Sequence, residues 1–556
     1  MRCVIYLTAL IALICGGACA MNLLSGPETV VFDSARDRYL VSNMNEPCYI
    51  VAIDRDGRQS IFNSGLSWPH GMTTVGNTLY VCTNYGTQGG VIGFDLATGE
   101  VVFEKLSTAW HDRCNAPAAD TSGNLYITTF PSSVYRIRLS DGAEFELANS
   151  ITLPNGPHFD ARNNRVLVPT EVWDSVLYSI DAGDYSVSTI PVEYKRYSCI
   201  TEDQFHNIYI TAFFEGEIYR FDSNLTSPPE LVSSGHAGPE GICFNKAENL
   251  LVVPNLLANS ISYLDMFIYA DADTTWGWPP LEVNFSGGCD FEASSWTWDF
   301  GDGDSAFIQS PTHTYQDAGI YDVNLEVDTI GGSMIRNKRH FIVTLADTIS
   351  APSVMAKAND IVEITLYGRN IMPLELMHIP VEYGGTLGLL LDSFSLAGCR
   401  TEILGTVTKA HSDPSDKEVT FRIYSIGPEP QYLEPGYGPI LKVYFSTATS
   451  AMPGQTATIS LDGYSNYMPE FRGLYVSSYA PETAAGTVGI YACGDANSDR
   501  SVNLLDVTFT VNFLYKNGPE PNPSQAADAN GDTNINILDV THLVNYLYKS
   551  GPDPVC

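Results

Sequence analysis

Between Cys493 and Cys556 the chain writes one acidic loop twice. The first copy runs Asp495-Ala-Asn497-Ser-Asp499-Arg-Ser501-Val-Asn503-Leu-Leu-Asp506, and the second Asp528-Ala-Asn530-Gly-Asp532-Thr-Asn534-Ile-Asn536-Ile-Leu-Asp539. Oxygen-bearing side chains recur at the first, third, fifth, ninth and twelfth places, and Ser501 and Asn534 can offer a backbone carbonyl at the seventh. A twelve-residue loop wraps a hard cation in oxygens with this spacing. Carboxylates and amides so crowded repel one another until a cation neutralises them, so metal binding and folding are linked. Each loop runs into an apolar stretch, Val507 to Tyr515 and Val540 to Tyr548, read as a helix that stops at Gly518-Pro519 or Gly551-Pro552.

Two such loop-and-helix units resemble a type I dockerin domain. The resemblance implies two calcium ions, one per loop, and a cohesin on another protein as partner. Recognition in that family concentrates at the tenth and eleventh loop places, here Leu504-Leu505 and Ile537-Leu538. Both pairs are apolar, which favours a greasy docking face, and one residue of each pair is expected to pack the module's own core. Because the copies are near-equivalent, either face could meet the partner. Two departures stand out. The turn place that is often Gly holds Arg500 and Thr533, and the last ligand is Asp, a methylene shorter than Glu.

The N-terminal half must position any other site, and it is a repeat. A turn and a short apolar strand recur at Tyr39, Leu79, Leu125, Val166, Ile208 and Leu250, spaced 40 to 46 residues apart. A further strand follows each, many ending in a hairpin signal. Repeats of that length built of short strands indicate a six-bladed β-propeller. Blade six stops after three strands at Asp265, so residues 21–25 are expected to return as its fourth. The turns Gly26-Pro-Glu28, Pro69-His-Gly71, Asn155-Gly-Pro157 and Gly238-Pro-Glu-Gly241 resemble gluconolactonase-type and NHL-type propellers. The lactonase resemblance implies one divalent metal in the central channel. Glu28 and Asn155 match two of its ligands, the third place falls at Tyr197-Ser198 where no carboxylate stands, and Glu240 is the nearest substitute. Ordinary channel lining is the alternative for His70, Asn155, His158 and Glu240.

Downstream, Trp296-Thr-Trp298-Asp-Phe-Gly-Asp-Gly303 followed by alternating Tyr321, Val323, Leu325 and Val327 resembles a PKD domain, an immunoglobulin-like sandwich. Asp299, Asp302 and Asp304 read as its structural turn, with calcium as the alternative. Long alternating strands from Ile361 to Leu461 resemble a cohesin-like or carbohydrate-binding jelly-roll sandwich, where Tyr464, Tyr467 and Phe471 are either sugar-stacking or buried aromatics. The expected class is thus mainly β and multidomain. The segments are 1–20 signal peptide, 21–268 propeller, 269–347 PKD domain, 348–489 sandwich, and 490–556 a small helical calcium-binding dockerin.

Arg2, the apolar Tyr6 to Ile14 and Ala18-Cys19-Ala20 read as a secretory signal, with an acylated Cys15 or Cys19 as the alternative. No other stretch is long and apolar enough to span a bilayer. A net charge of −35 argues against nucleic acid and anionic membranes as partners. Cys493 and Cys556 bracket the dockerin and are the candidate disulfide. Most of the other cysteines read as small buried hydrophobes.

No Ser-His-Asp order, zinc signature or phosphate loop is evident. The expectation is a secreted, non-catalytic assembly or surface protein of the kind bacteria export, docked by calcium to a cohesin, with the propeller as contact surface. Polysaccharide breakdown is the setting by family association. The alternatives are a lactonase-like metal hydrolase in the propeller channel and a carbohydrate-binding protein.

Overall fold

The computed structural model describes residues 22–85, 88–110, 113–427 and 429–556. The expected signal peptide, residues 1–20, lies outside them. No helix among the described residues is long and apolar enough to cross a membrane. The protein is mainly β, with two α-helices among the described residues, both near the C-terminus.

Contacts divide the chain into two compact units, the first holding the propeller and most of the following sandwich, the second the remainder. Five blades are four-stranded antiparallel sheets; blade one comprises Pro27–Asp33, Arg38–Asn43, Tyr49–Asp54 and Gln59–Ser64. Blade six has three strands, Cys243–Asn245, Leu250–Asn255 and Ser260–Asp265.

The repeated turn has a physical cause. Asp120 accepts from the N–H groups of Ser122 and Asn124, from Asn124 Nδ2 and from Tyr126 Oη. Asp203 does the same with Phe205, Asn207 and Tyr209. One carboxylate thus closes the hairpin and pins the next strand, whose alternate apolar residues pack against the neighbouring blade.

Residues 22–25 do not supply a fourth strand to blade six. Leu23 and Leu24 are buried in a cluster with Val41 and Val51 of blade one and Leu250 and Val252 of blade six. The Leu23 N–H goes to Gln59 Oε1, and its carbonyl accepts from Asn43 Nδ2 and Tyr49 Oη. Side chains therefore satisfy the backbone that a ladder would have used. The ring closes at its inner edge instead, where Val30 N–H donates to Gly241 O at 2.9 Å and Gly241 N–H to Glu28 O at 2.8 Å.

In the PKD-type sandwich Trp298, Phe300, Tyr315, Val323, Leu325 and Val327 are buried, while Tyr321 is half-buried. The cohesin-like sandwich lays a five-stranded sheet, order Leu389–Ser395, Gly436–Thr447, Ile361–Asn370, Thr348–Ser350, Glu482–Ala484, against a larger sheet centred on Leu374–Gly385. Tyr464 and Phe471 are buried, and Tyr467 stacks on His411 at 4.5 Å, so these aromatics take the packing alternative.

At Gly241 a Cβ would lie 2.8 Å from Thr29 Cβ and 2.9 Å from Thr29 Cα. Gly241→Ala should therefore loosen ring closure and cost about 1–3 kcal/mol, read as a lower propeller melting temperature.

Candidate functional site

Helix α1 spans Leu504–Lys516 and α2 Ile537–Lys549, so each begins three residues before the apolar stretch that marked it. The cause is a capping box. Asn503 Oδ1 accepts from Leu505 N–H, and Asp506 Oδ2 accepts from Asn503 N–H at 2.8 Å. Asn536 and Asp539 repeat this at α2. The ninth-place amides are thereby engaged as N-caps.

The remaining loop oxygens converge by the same rules in both copies. Asp495 accepts from the N–H groups of Asp499 and Arg500, and Asp506 Oδ1 from Asn497 N–H. Asp528 and Asp539 do likewise with Asp532, Thr533 and Asn530. The departures at the turn are accommodated: Arg500 and Thr533 adopt φ of 71° and 70°, the left-handed region Gly usually fills. Burial pushes the Asp506 and Asp539 carboxyls above their ordinary range, and the neighbouring loop carboxylates push the same way.

This donor chemistry fits calcium. Asp495, Asn497, Asp499 and Asp506 with the Ser501 carbonyl would hold it in the first loop; Asp528, Asn530, Asp532, Asp539 and the Asn534 carbonyl would do so in the second. The ion would supply the positive charge that these buried oxygens lack. Among the described residues, the one trio of His, Cys, Asp or Glu donors already within 4.8 Å of one another is Asp302, Asp304 and His313. In the acidic loops, backbone N–H groups hold the carboxylates apart, and an ion would draw them in. The trio itself is a turn device: Asp302 bonds Asp304 N–H and His313 Nε2, and His313 stacks on Phe300.

Leu504, Leu505, Ile537 and Leu538 are 48% to 60% exposed, so none packs the module's core. That core is Val507, Ala529, Val540 and Leu543. A disulfide joins Cys493 to Cys556, with their Cα atoms 5.3 Å apart. Among the described residues the other seven cysteines are free thiols, five of them buried.

The propeller channel gathers a second group. Antiparallel strands place the loops between second and third strands, and the blade-to-blade connections, on one face. Glu28, Asn155 and Glu240 meet there, joined by Glu171, which the repeat pattern could have flagged. It stands where the equivalent turns carry Met44, Asn84, Phe130, Phe213 and Asn255. Asn155 Nδ2 donates to Glu171 Oε1 at 2.6 Å, while Asn155 Oδ1 accepts from Gly156 N–H. His70 Nδ1 lies 3.7 Å from Glu28 Oε1, but His158 turns away to Glu202 at 3.3 Å. Burial, then the charge of Glu28, raises the Glu171 carboxyl above its usual range, and burial with Glu28 and Glu171 raises Glu240 well above it. The third lactonase-type place is Ser198, a buried hydroxyl with no hydrogen-bond partner. One carboxylate, an amide engaged on both sides and a hydroxyl do not fit a lactonase-type metal.

A family model for the PKD domain matches residues 268–343, and one for the dockerin type I domain matches residues 493–548. The chain therefore carries both domains. No curated protein matches it in sequence. It is similar to the structure of a luciferin-regenerating enzyme, at 12% identity and a TM-score of 0.35, covering 43% of this chain and 87% of that one. A gluconolactonase from Xanthomonas campestris gives 14% identity and a TM-score of 0.35, over 41% and 82% of the two chains. A type I cohesin from Pseudobacteroides cellulosolvens gives 15% and 0.22, over 26% and 92%.

The Cys493–Cys556 bond closes a loop with a sequence separation of 63. Replacing both cysteines with Ser should destabilise the calcium-loaded tail by about 4 kcal/mol, measurable as a shift in its denaturant midpoint.

Proposed function

We propose that this is an exported, calcium-dependent docking protein whose C-terminal module carries it onto a cohesin-type partner. In this reading the protein is non-catalytic, and the propeller and sandwiches present contact surfaces within an extracellular assembly. One observation carries the proposal. Each acidic loop ends on a carboxylate that also starts a helix, and the first turn of that helix exposes an apolar pair.

The coupling is direct. Asp506 holds the loop through Asn497 N–H and the helix through Asn503 N–H. A calcium ion bound to Asp506 would compensate its buried charge and stiffen both attachments, fixing the turn that bears Leu504 and Leu505. Asp539 stands in the same relation to Ile537 and Leu538. Two ions, one per loop, are the expected stoichiometry. Exposed apolar pairs rimmed by polar residues supply the buried centre that specific protein interfaces need. Breakdown of polysaccharide is the setting we favour, on the association of dockerin domains with such assemblies.

Capture of the full chain on an immobilised type I cohesin should require calcium and end on adding a chelator. Changing both pairs to Asp (Leu504, Leu505, Ile537 and Leu538 together) should weaken binding by roughly a hundredfold or more. Changing one pair should cost less than about tenfold if the two faces are interchangeable. Calcium-independent capture, or capture indifferent to all four substitutions, would sink the proposal.

A further inference from the structure

The propeller face that bears Glu28, Glu171 and Glu240 also carries a rim of exposed aromatic rings. Each ring stands close in sequence or in space to one of the acids. Trp68 precedes His70, the neighbour of Glu28, by two residues. Trp173 follows Glu171 by two and stacks on Tyr194 with ring centres 5.4 Å apart. Phe214 lies beneath the Arg196 guanidinium at 3.4 Å, and Arg196 Nε bonds the Glu171 carbonyl. Trp68, Trp173, Tyr194 and Phe214 all expose more than half of their surface. Trp68 does so at a φ of 50°, a left-handed conformation costly for a bulky residue and typical of positions held for function. Trp68 and His70 line a cavity of about 410 Å³ with Asn84, Arg113, Asn115 and Phe130.

Behind the rim the charge is unbalanced. Glu28 and Glu240 are 7% and 5% exposed. Glu28 makes no hydrogen bond through its carboxylate among the described residues, and its nearest basic group is His70, at 3.7 Å. Glu240 has only the Cys199 thiol, at 3.8 Å. Arg196 faces Glu171 alone and is engaged with a main-chain oxygen and an aromatic face. Burying carboxylates so poorly matched is costly unless a cation joins them. Aromatic walls say what kind of cation. A bare metal ion has no use for exposed indole and phenyl rings, and a neutral sugar would leave the acids unmatched. A positive nitrogen on an apolar body meets both features, through ion pairing at the floor and cation–π and stacking contacts at the rim.

We propose that this mouth of the propeller channel binds a small organic cation, an ammonium group carried on an aromatic or aliphatic body. Its charge sits among Glu28, Glu171 and Glu240, and its body lies against the rim of Trp68, Trp173, Tyr194 and Phe214. Glu28 and Glu240 are binding residues in this assignment, and Asn155 positions Glu171 through its 2.6 Å bond.

Titration calorimetry on the full chain, with calcium saturating the dockerin loops, tests this without reference to cohesin binding. Phenethylammonium should bind saturably, and 2-phenylethanol, its neutral counterpart, roughly tenfold or more weakly. Glu28→Gln and Glu240→Gln should each weaken phenethylammonium by roughly tenfold while leaving the alcohol unchanged. Trp173→Ala, on the exposed rim where folding is not at stake, should weaken both ligands. Equal affinity for amine and alcohol overturns the proposal, as does the absence of saturable amine binding. Manganese binding that Glu28→Gln removes, with amine binding untouched, would reassign the floor to a metal.

Discussion

A carboxylate taken out of water must meet donors or a cation, and this chain of net charge −35 satisfies that demand in three different ways. In the blade turns the answer is local and complete. Asp120 and Asp203 each collect two backbone N–H groups, an Asn amide and a Tyr hydroxyl. In the C-terminal loops the backbone donors are again present, yet three carboxylates crowd each loop. Burial and repulsion still leave Asp506 and Asp539 raised. In the channel the donors are fewest, and the buried Glu28 and Glu240 meet only His70 at 3.7 Å and the Cys199 thiol at 3.8 Å. The first arrangement builds the fold. The second and third leave carboxylates that the protein's own donors match incompletely.

The same demand ties the acidic loops to the surface they present. A loop whose last ligand is also the third residue of a helix cannot bind its ion without ordering that helix's first turn. The Leu505 and Leu538 N–H groups donate to the Oδ1 atoms of the capping Asn residues, so the exposed pairs rest on the loop rather than on the module's core. The patch and the acidic loop thus share one anchoring residue in each copy, Asp506 or Asp539.

Much of this was legible because it repeats. Oxygen spacing in the tail and strand spacing in the propeller are both periodic, and a period survives ignorance of tertiary contacts. What escaped the sequence depended on side-chain contacts between segments distant along the chain. Glu171 sits at a turn place that other blades fill with Asn, Phe or Met, and the pairing of the segment before the first strand of blade four with the turn after its second brings it to Asn155. Leu23 and Leu24 read as a strand, but side chains from Asn43, Tyr49 and Gln59 satisfy the Leu23 backbone and leave no ladder to join. The helix starts were misjudged for the opposite reason. The Asn503 and Asp506 capping pair was in plain view, and reading it only as metal ligands hid its second role.

The bond between Cys493 and Cys556 has a mechanical meaning. It sets the point where the chain enters the last module beside the point where that module ends, and Val555 N–H donates to Ala529 O next to the second loop. Tension transmitted along the polypeptide would therefore divide at the clasp and reach both loops together. A tethered molecule pulled by flow or by a moving partner could not be unzipped one loop at a time. The sandwiches and blades upstream have no such crosslink among the described residues, and they would yield first.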